Sequence, residues 1–207
     1  MNLANKLTIS RILLVPFFIM FLELEGFWVS IFALIIFIIA SITDLLDGQI
    51  ARRNNTITSL GIFLDPLADK LLISAAFICF VDISYLNIPA WMVIAIISRE
   101  FLITGLRTIA ATKNVIIPAD RSGKFKTTSQ IVVIILVMLI IIVTEGFQEF
   151  YDVEPLMIAA FDGGSYKTLA SVLKHTPYWS TLAAAALTIF SGLNYMLKHR
   201  NLFKENE

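Results

Sequence analysis

From Trp28 to Asp69 the chain reads WVSIFALIIFIIASITDLLDGQIARRNNTITSLGIFLDPLAD. An apolar run long enough to enter a bilayer ends at Asp44 and Asp47. A second apolar run begins around Asp65 and Asp69. With Gly48, Ala51, Arg52 and Gly61 between them, the pattern is D-x2-D-G-x2-A-R-x8-G-x3-D-x3-D. One charge at the bilayer centre costs roughly 2.5–3.5 kcal/mol on the lenient insertion scale, so four uncompensated carboxylates cost on the order of 10 kcal/mol. Either cations sit among them or water reaches them, and both answers point to function.

The surrounding composition sets the class. The 207 residues are 57% hydrophobic, and the mean hydropathy of +0.81 lies beyond that of an ordinary soluble domain. A span needs about 20 apolar residues. Segments 8–23, 28–50, 62–82, 88–112, 125–145 and 180–198 qualify. The expected fold is an all-α polytopic membrane protein with six transmembrane helices, and residues 1–207 form a single domain. Asn2–Lys6 reads as a short interfacial helix before the first span. The run Ile9–Leu22 contains Pro16 and no small-residue cleavage pattern follows, so it reads as a retained span rather than a signal peptide. Pro66 falls near the start of the third span, where proline is tolerated. Segment 146–179, with Pro155, Gly163-Gly164 and Pro177, reads as a long outer loop partly at the interface.

Charge placement gives an orientation. With the N-terminus in the cytoplasm, that side carries Lys6, Arg11, Arg52, Arg53, Lys113, Arg121, Lys124, Lys126, Lys198, Arg200 and Lys204. The opposite side carries only Lys167 and Lys174, together with acidic residues such as Glu23, Glu25, Asp82, Glu145 and Glu149. By the positive-inside rule both termini are cytoplasmic and the chain sits in the cytoplasmic membrane. Formal net charge is zero, which predicts no nucleic-acid partner. Cys79 is the sole cysteine, so no disulfide framework or thiolate metal site is available, and burial is its expected fate.

Asp44 and Asp47 are three apart and Asp65 and Asp69 four apart, so on helices each pair shares a face. Antiparallel helices on a short loop bring the two faces together near the cytoplasmic surface. Oxygen-only ligands suit hard cations, and no Cys or His accompanies them to favour zinc. Two divalent ions would balance four carboxylates, an arrangement suited to phosphoryl displacement. Gly48 and Ala51 leave room beside the acids, Gly61 permits a turn or close helix contact, and Arg52 offers a planar fork for phosphate. The structural alternative is an inter-helix ion-pair network involving Arg52 and Arg53. A cation pathway is the competing functional reading. Transport predicts ionisable groups through the membrane depth, whereas these cluster towards one face.

This signature resembles that of the CDP-alcohol phosphotransferases at every fixed position. Asn5–Arg11 (NKLTISR), Phe63–Lys70 (FLDPLADK), Ser98–Phe101 with Gly105–Arg107, and Ser122–Thr127 (SGKFKT) look similar to one branch, the bacterial phosphatidylglycerophosphate synthases. The resemblance covers most of 1–145 and the last span. Loop 146–179 looks longer than that branch would have.

The resemblance implies a cytoplasm-facing active-site cavity, usually in a homodimer within membrane lipid. It implies two Mg2+ ions, with Mn2+ as the alternative, held by Asp44, Asp47, Asp65 and Asp69. It implies CDP-diacylglycerol as donor and glycerol 3-phosphate as acceptor; inositol phosphate, serine and phosphatidylglycerol are the alternative acceptors. Asp69, one turn beyond Asp65, is the candidate base, with a pure ligand role as the alternative. Gly48, Ala51 and Gly61 fall on the donor side, where Arg52, Asn5 and Thr8 would bind pyrophosphate or ribose. Arg107, Arg121, Lys124 and Lys126 are candidates for the acceptor's phosphate, since Arg and Lys suit a phosphomonoester. Positive-inside anchoring is the alternative for each. Arg99 and Glu100 are expected to pair within the bundle. His175 and His199 receive no role.

Overall fold

The six long apolar runs form helices, and each buries a stripe of residues spaced by three and four. Two residues so spaced lie on one side of a 3.6-residue turn, so such a stripe faces neighbouring helices. The computed structural model describes the backbone of residues 3–54, 59–112, 121–152 and 165–198. The side chains of 3–5, 44–54, 59–66, 69, 111–112, 121–124 and 165–169 fall outside the described set. The helices are α1 (Leu3–Glu23), α2 (Phe27–Asn54), α3 (Ser59–Asp82), α4 (Ala90–Thr112), α5 (Arg121–Tyr151) and α6 (Ser165–Lys198), with a 3-10 turn at Ser84–Leu86. Among the described residues there is no strand, so the all-α expectation holds.

On α1 the buried stripe is Thr8, Arg11, Val15, Phe18 and Leu22; on α2 it is Ser30, Ala33, Phe37 and Ala40. The two pack together, with the Phe18 and Phe37 rings 5.8 Å apart. Ala68, Leu72, Ala75, Ala76 and Phe80 line α3, which packs against α1 and α4. The α5 stripe runs Gln130, Val133, Val137, Ile140 and Thr144, and the α6 stripe Thr181, Ala184, Thr188, Ser191 and Tyr195. Helix α6 packs against both α4 and α5, and α2 also meets α5. Small residues at these crossings (Ala33, Ala40, Ala75, Ala76, Ala184, Ala185) let the backbones approach, as lipid-embedded helices require.

The outward faces are as apolar as the core. Phe17, Trp28, Phe32, Ile39, Ile94, Phe101, Val132, Leu187, Phe190 and Leu193 are all exposed. Water-soluble proteins rarely expose contiguous apolar surface on this scale. Phe125–Tyr151 and Ala170–Lys198 are long and apolar enough to cross a bilayer. The chain is a membrane protein. Helices α1 and α4 carry more ionisable residues, Lys6, Arg11 and Glu23 on one and Arg99, Glu100 and Arg107 on the other. Arg11 and Glu100 lie on the buried stripes.

Local chemistry explains the connections. Gly26 joins α1 to α2 at φ +143°, a conformation other residues rarely adopt. Asn87 ends the 3-10 turn in the left-handed region, its N–H donating to the Ser84 carbonyl, before Pro89 leads into α4.

Two expectations are corrected. No separate interfacial helix precedes the first span: Leu3–Lys6 is continuous with α1, because no glycine or proline interrupts the ladder before Pro16. Asn2 lies outside the described residues. The loop expected at 146–179 is also largely helical. Helix α5 continues to Tyr151 and α6 begins at Ser165, with Pro177 inside it. At 1.5 Å per residue, the 34 residues of α6 extend about 50 Å, against a hydrocarbon core of about 30 Å. Hydropathy marks only the part that spans, not the polar turns Ser165–Thr176 that precede it. Residues 153–164 lie outside the described set.

Candidate active site

The acidic motif falls where two successive helices adjoin. Asp44, Asp47, Gly48, Ala51 and Arg52 lie in the last turns of α2; Gly61, Asp65 and Asp69 lie in the first turns of α3. The buried α2 stripe Ser30-Ala33-Phe37-Ala40 continues by the same four-and-three steps through Asp44, Asp47 and Ala51. On α3, stepping back from Leu72 and Ala68 reaches Asp69, Asp65 and Gly61. By helical register the acids therefore fall in line with those two stripes. Their side chains lie outside the described residues, as do those of Asn5, Arg121 and Lys124.

Helix α1 brings its polar end to the same level. Thr8, expected on the donor side, is buried, and so is Arg11 one turn further on. From sequence, Arg11 counts only as a topology charge. Its four-residue spacing to Val15 on the apolar stripe was the available signal for an inward position.

On the α4–α5–α6 side a polar cluster interrupts the apolar packing. Lys126 is buried and ion-paired with Glu100. Gln130 Nε2, one turn along α5, donates to Glu100 Oε1 (3.5 Å) and to Thr188 Oγ1 (3.0 Å). Arg99 pairs with Glu100 at 3.5 Å, as expected, and donates from Nη2 to Ser191 Oγ at 3.0 Å. Arg107 occupies the next inward step after Ile103 yet remains exposed. Its Nε donates to the Tyr195 hydroxyl at 3.3 Å, with the guanidinium 5.5 Å from that ring's centroid. Of the expected acceptor residues, the structure thus places Lys126 inside the bundle and Arg107 at its open edge. Arg121 and Lys124 have described backbone only, on the first turn of α5. His175 Nδ1 lies 2.9 Å from the Ser171 carbonyl of its own helix, while His199 lies outside the described residues.

A family model described as CDP-alcohol phosphatidyltransferase matches residues 1–160. The chain belongs to the CDP-alcohol phosphatidyltransferase family. Similar proteins include the CDP-diacylglycerol–glycerol-3-phosphate 3-phosphatidyltransferase of Bacillus subtilis strain 168, 46% identical over 63% of this chain and 73% of the relative. Those of Rickettsia typhi and Salmonella typhimurium bear the same name. Each is 38% identical over 63% of this chain, with 72% and 73% of the relative covered respectively. The segment matched to this phosphatidyltransferase family holds the whole acidic motif and helices α1 to α5. Thr188, Ser191 and Tyr195 on α6 lie beyond it.

A cavity of about 920 Å3 lies at the other end of the bundle. It is bordered by Glu23, Glu25, Asp82, Tyr85, Glu145 and Glu149. Burial, reinforced by the charges of Glu145 and Glu25, pushes the Tyr85 phenol well above its ordinary value. Among the described residues no group of His, Cys, Asp and Glu is placed to hold a metal.

Proposed function

We propose that this chain transfers the phosphatidyl group of CDP-diacylglycerol to glycerol 3-phosphate, giving phosphatidylglycerophosphate and CMP. The observation that carries the reading is the complete acidic signature at the adjoining ends of α2 and α3, in register with their buried stripes, in a phosphatidyltransferase family member. The acceptor is the one for which the similar bacterial proteins are named. The chain acts as a six-span homodimer in the cytoplasmic membrane, with both termini and the acidic site on the cytoplasmic side. The Lys and Arg distribution supports that orientation.

Asp44, Asp47, Asp65 and Asp69 fit a pair of hard divalent cations. They are oxygen donors only, and both pairs continue the buried stripes at the adjoining ends of two helices. Bound Mg2+, or Mn2+, would supply neutralisation of the donor pyrophosphate and of the charge that develops on the departing phosphate. The remaining work belongs to side chains. Gly48 and Ala51 admit the cytidine, Gly61 keeps the facing helix close, and Arg52, Asn5 and Thr8 hold pyrophosphate or ribose. Arg107, Arg121, Lys124 and Lys126 bind the acceptor's phosphate. Asp69 takes the proton from the acceptor hydroxyl as its oxygen bonds to the phosphorus carrying diacylglycerol. The bond from that phosphorus to the oxygen of CMP breaks, and CMP leaves with the bonding pair.

The test is CMP release from CDP-diacylglycerol by the full chain in detergent–lipid micelles with Mg2+. Glycerol 3-phosphate should elicit release, and serine, inositol phosphate and phosphatidylglycerol should not. Release with serine alone would move the acceptor while keeping the donor chemistry. No release with any acceptor would remove the enzyme reading.

A further inference from the structure

We propose that Glu100 is a positioning residue for acceptor binding: it fixes the Lys126 ammonium where the acceptor's phosphate docks. The inference rests on the reading of Lys126 as an acceptor contact.

A carboxylate and an ammonium inside a helical bundle are each costly unless paired and hydrogen-bonded. Here the pair is enclosed by a frame drawn from three helices. The Glu100 side chain is only 11% exposed and that of Lys126 6%. Glu100 Oε1 receives Lys126 Nζ, Gln130 Nε2 and Arg99 Nη1. Two of those donors are anchored from behind by α6, Gln130 on Thr188 and Arg99 on Ser191. The aliphatic stem of Arg99 crosses α6 at Gly192, where a Cβ would come 2.7 Å from Arg99 Cγ. The glycine is what lets that arm lie there.

Such a frame holds a flexible side chain at one place. Lysine has a four-carbon stem and a single compact charge, so by itself it selects no geometry. Held by Glu100, its ammonium still has donors to spare, since only one oxygen of the carboxylate engages it. Lys126 also feels the charges of Arg99 and Lys70, and Arg99 feels that of Arg107. Those spare donors can meet a dianionic phosphomonoester while Glu100 fixes the place of the ammonium.

A double-mutant cycle tests this on the full chain in lipid micelles, reading the KM for glycerol 3-phosphate at saturating CDP-diacylglycerol, and the KM for CDP-diacylglycerol separately. Lys126→Ala should raise the first by about tenfold or more and leave the second unchanged. Glu100→Gln should raise it by about tenfold as well, and Glu100→Asp by less. In the Lys126→Ala background Glu100→Gln should add nothing, because its target is gone. Multiplying effects, or equal rises for both substrates, would make Glu100 a purely structural residue and overturn the proposal. If Lys126→Ala leaves the acceptor KM unchanged, the acceptor role of Lys126 fails, and this inference with it. If Glu100→Gln does not accumulate in the membrane, Glu100→Asp run through the same cycle decides, since it keeps the charge and shortens the arm.

Discussion

At the scale of single residues, helical register sets which positions share a line with the buried stripes. Asp44 continues the buried stripe of α2 and Asp65 that of α3. Asp44→Asn or Asp65→Asn should remove one of the proposed metal ligands without disturbing the fold. Metal stabilisation of transition-state charge is worth several kcal/mol, and at 1.36 kcal/mol per decade the expected loss of CMP release is on the order of 10³-fold or more. Unchanged helicity by circular dichroism is the control. Lys124→Ala should mainly raise the KM for glycerol 3-phosphate; equal effects on both substrates would contradict its assignment. Gly192→Ala tests the Arg99 crossing: the added methyl meets Arg99 Cγ at 2.7 Å, so one side chain must shift. Weaker acceptor binding is expected, measured as a raised KM with little change for the donor. The acidic pattern was legible in sequence because its spacing lies within single helices. The pairing of Glu100 with Lys126 was not, because it joins two helices through a contact no local period encodes. Arg11 was read as an anchor because basic residues near a span end usually are; only its step to Val15 marked it as buried.

At the scale of elements, the C-terminal turns of α5 clamp the start of α2. The Phe27 N–H, an unpaired donor of the first α2 turn, donates to Glu149 Oε2 at 3.1 Å, and Ser30 Oγ donates to Glu145 at 2.5 Å. The Phe27 ring meets Phe150 edge-on at 5.1 Å and lies over Gly146, where a Cβ would come 3.0 Å from it. This is an N-cap supplied by a distant helix. Glu149→Ala should cost about 0.5–2 kcal/mol, the usual worth of a cap, read as a lower unfolding midpoint in detergent with catalytic parameters unchanged. Helix existence was legible throughout, since long apolar runs leave few alternatives in a bilayer. The start of α6 was not. The stretch Ser165–Thr176 is too polar to count as a span and Pro177 resembles a loop signal, yet α6 is longer than the bilayer core and carries both.

At the scale of the whole molecule, the bundle divides charge between its ends. The acidic motif and basic cluster belong to one end, and the carboxylate-lined cavity with Tyr85 belongs to the other. In the proposed orientation the first faces the cytoplasm, where glycerol 3-phosphate and CMP are soluble. Single cysteines introduced in a Cys79→Ser background test this. Glu25→Cys should react with a membrane-impermeant thiol reagent in intact cells, and Lys204→Cys only after permeabilisation; the reverse pattern would invert the topology. The central claim is that a complete acidic signature at the α2–α3 junction performs phosphatidyl transfer to glycerol 3-phosphate. The most direct measurement supplies purified chain with CDP-diacylglycerol, Mg2+ and each acceptor in turn, following CMP and the lipid product together. The account predicts stoichiometric CMP and phosphatidylglycerophosphate with glycerol 3-phosphate, abolished by Asp65→Asn. CMP release unaffected by Asp65→Asn, or none with glycerol 3-phosphate, would contradict it.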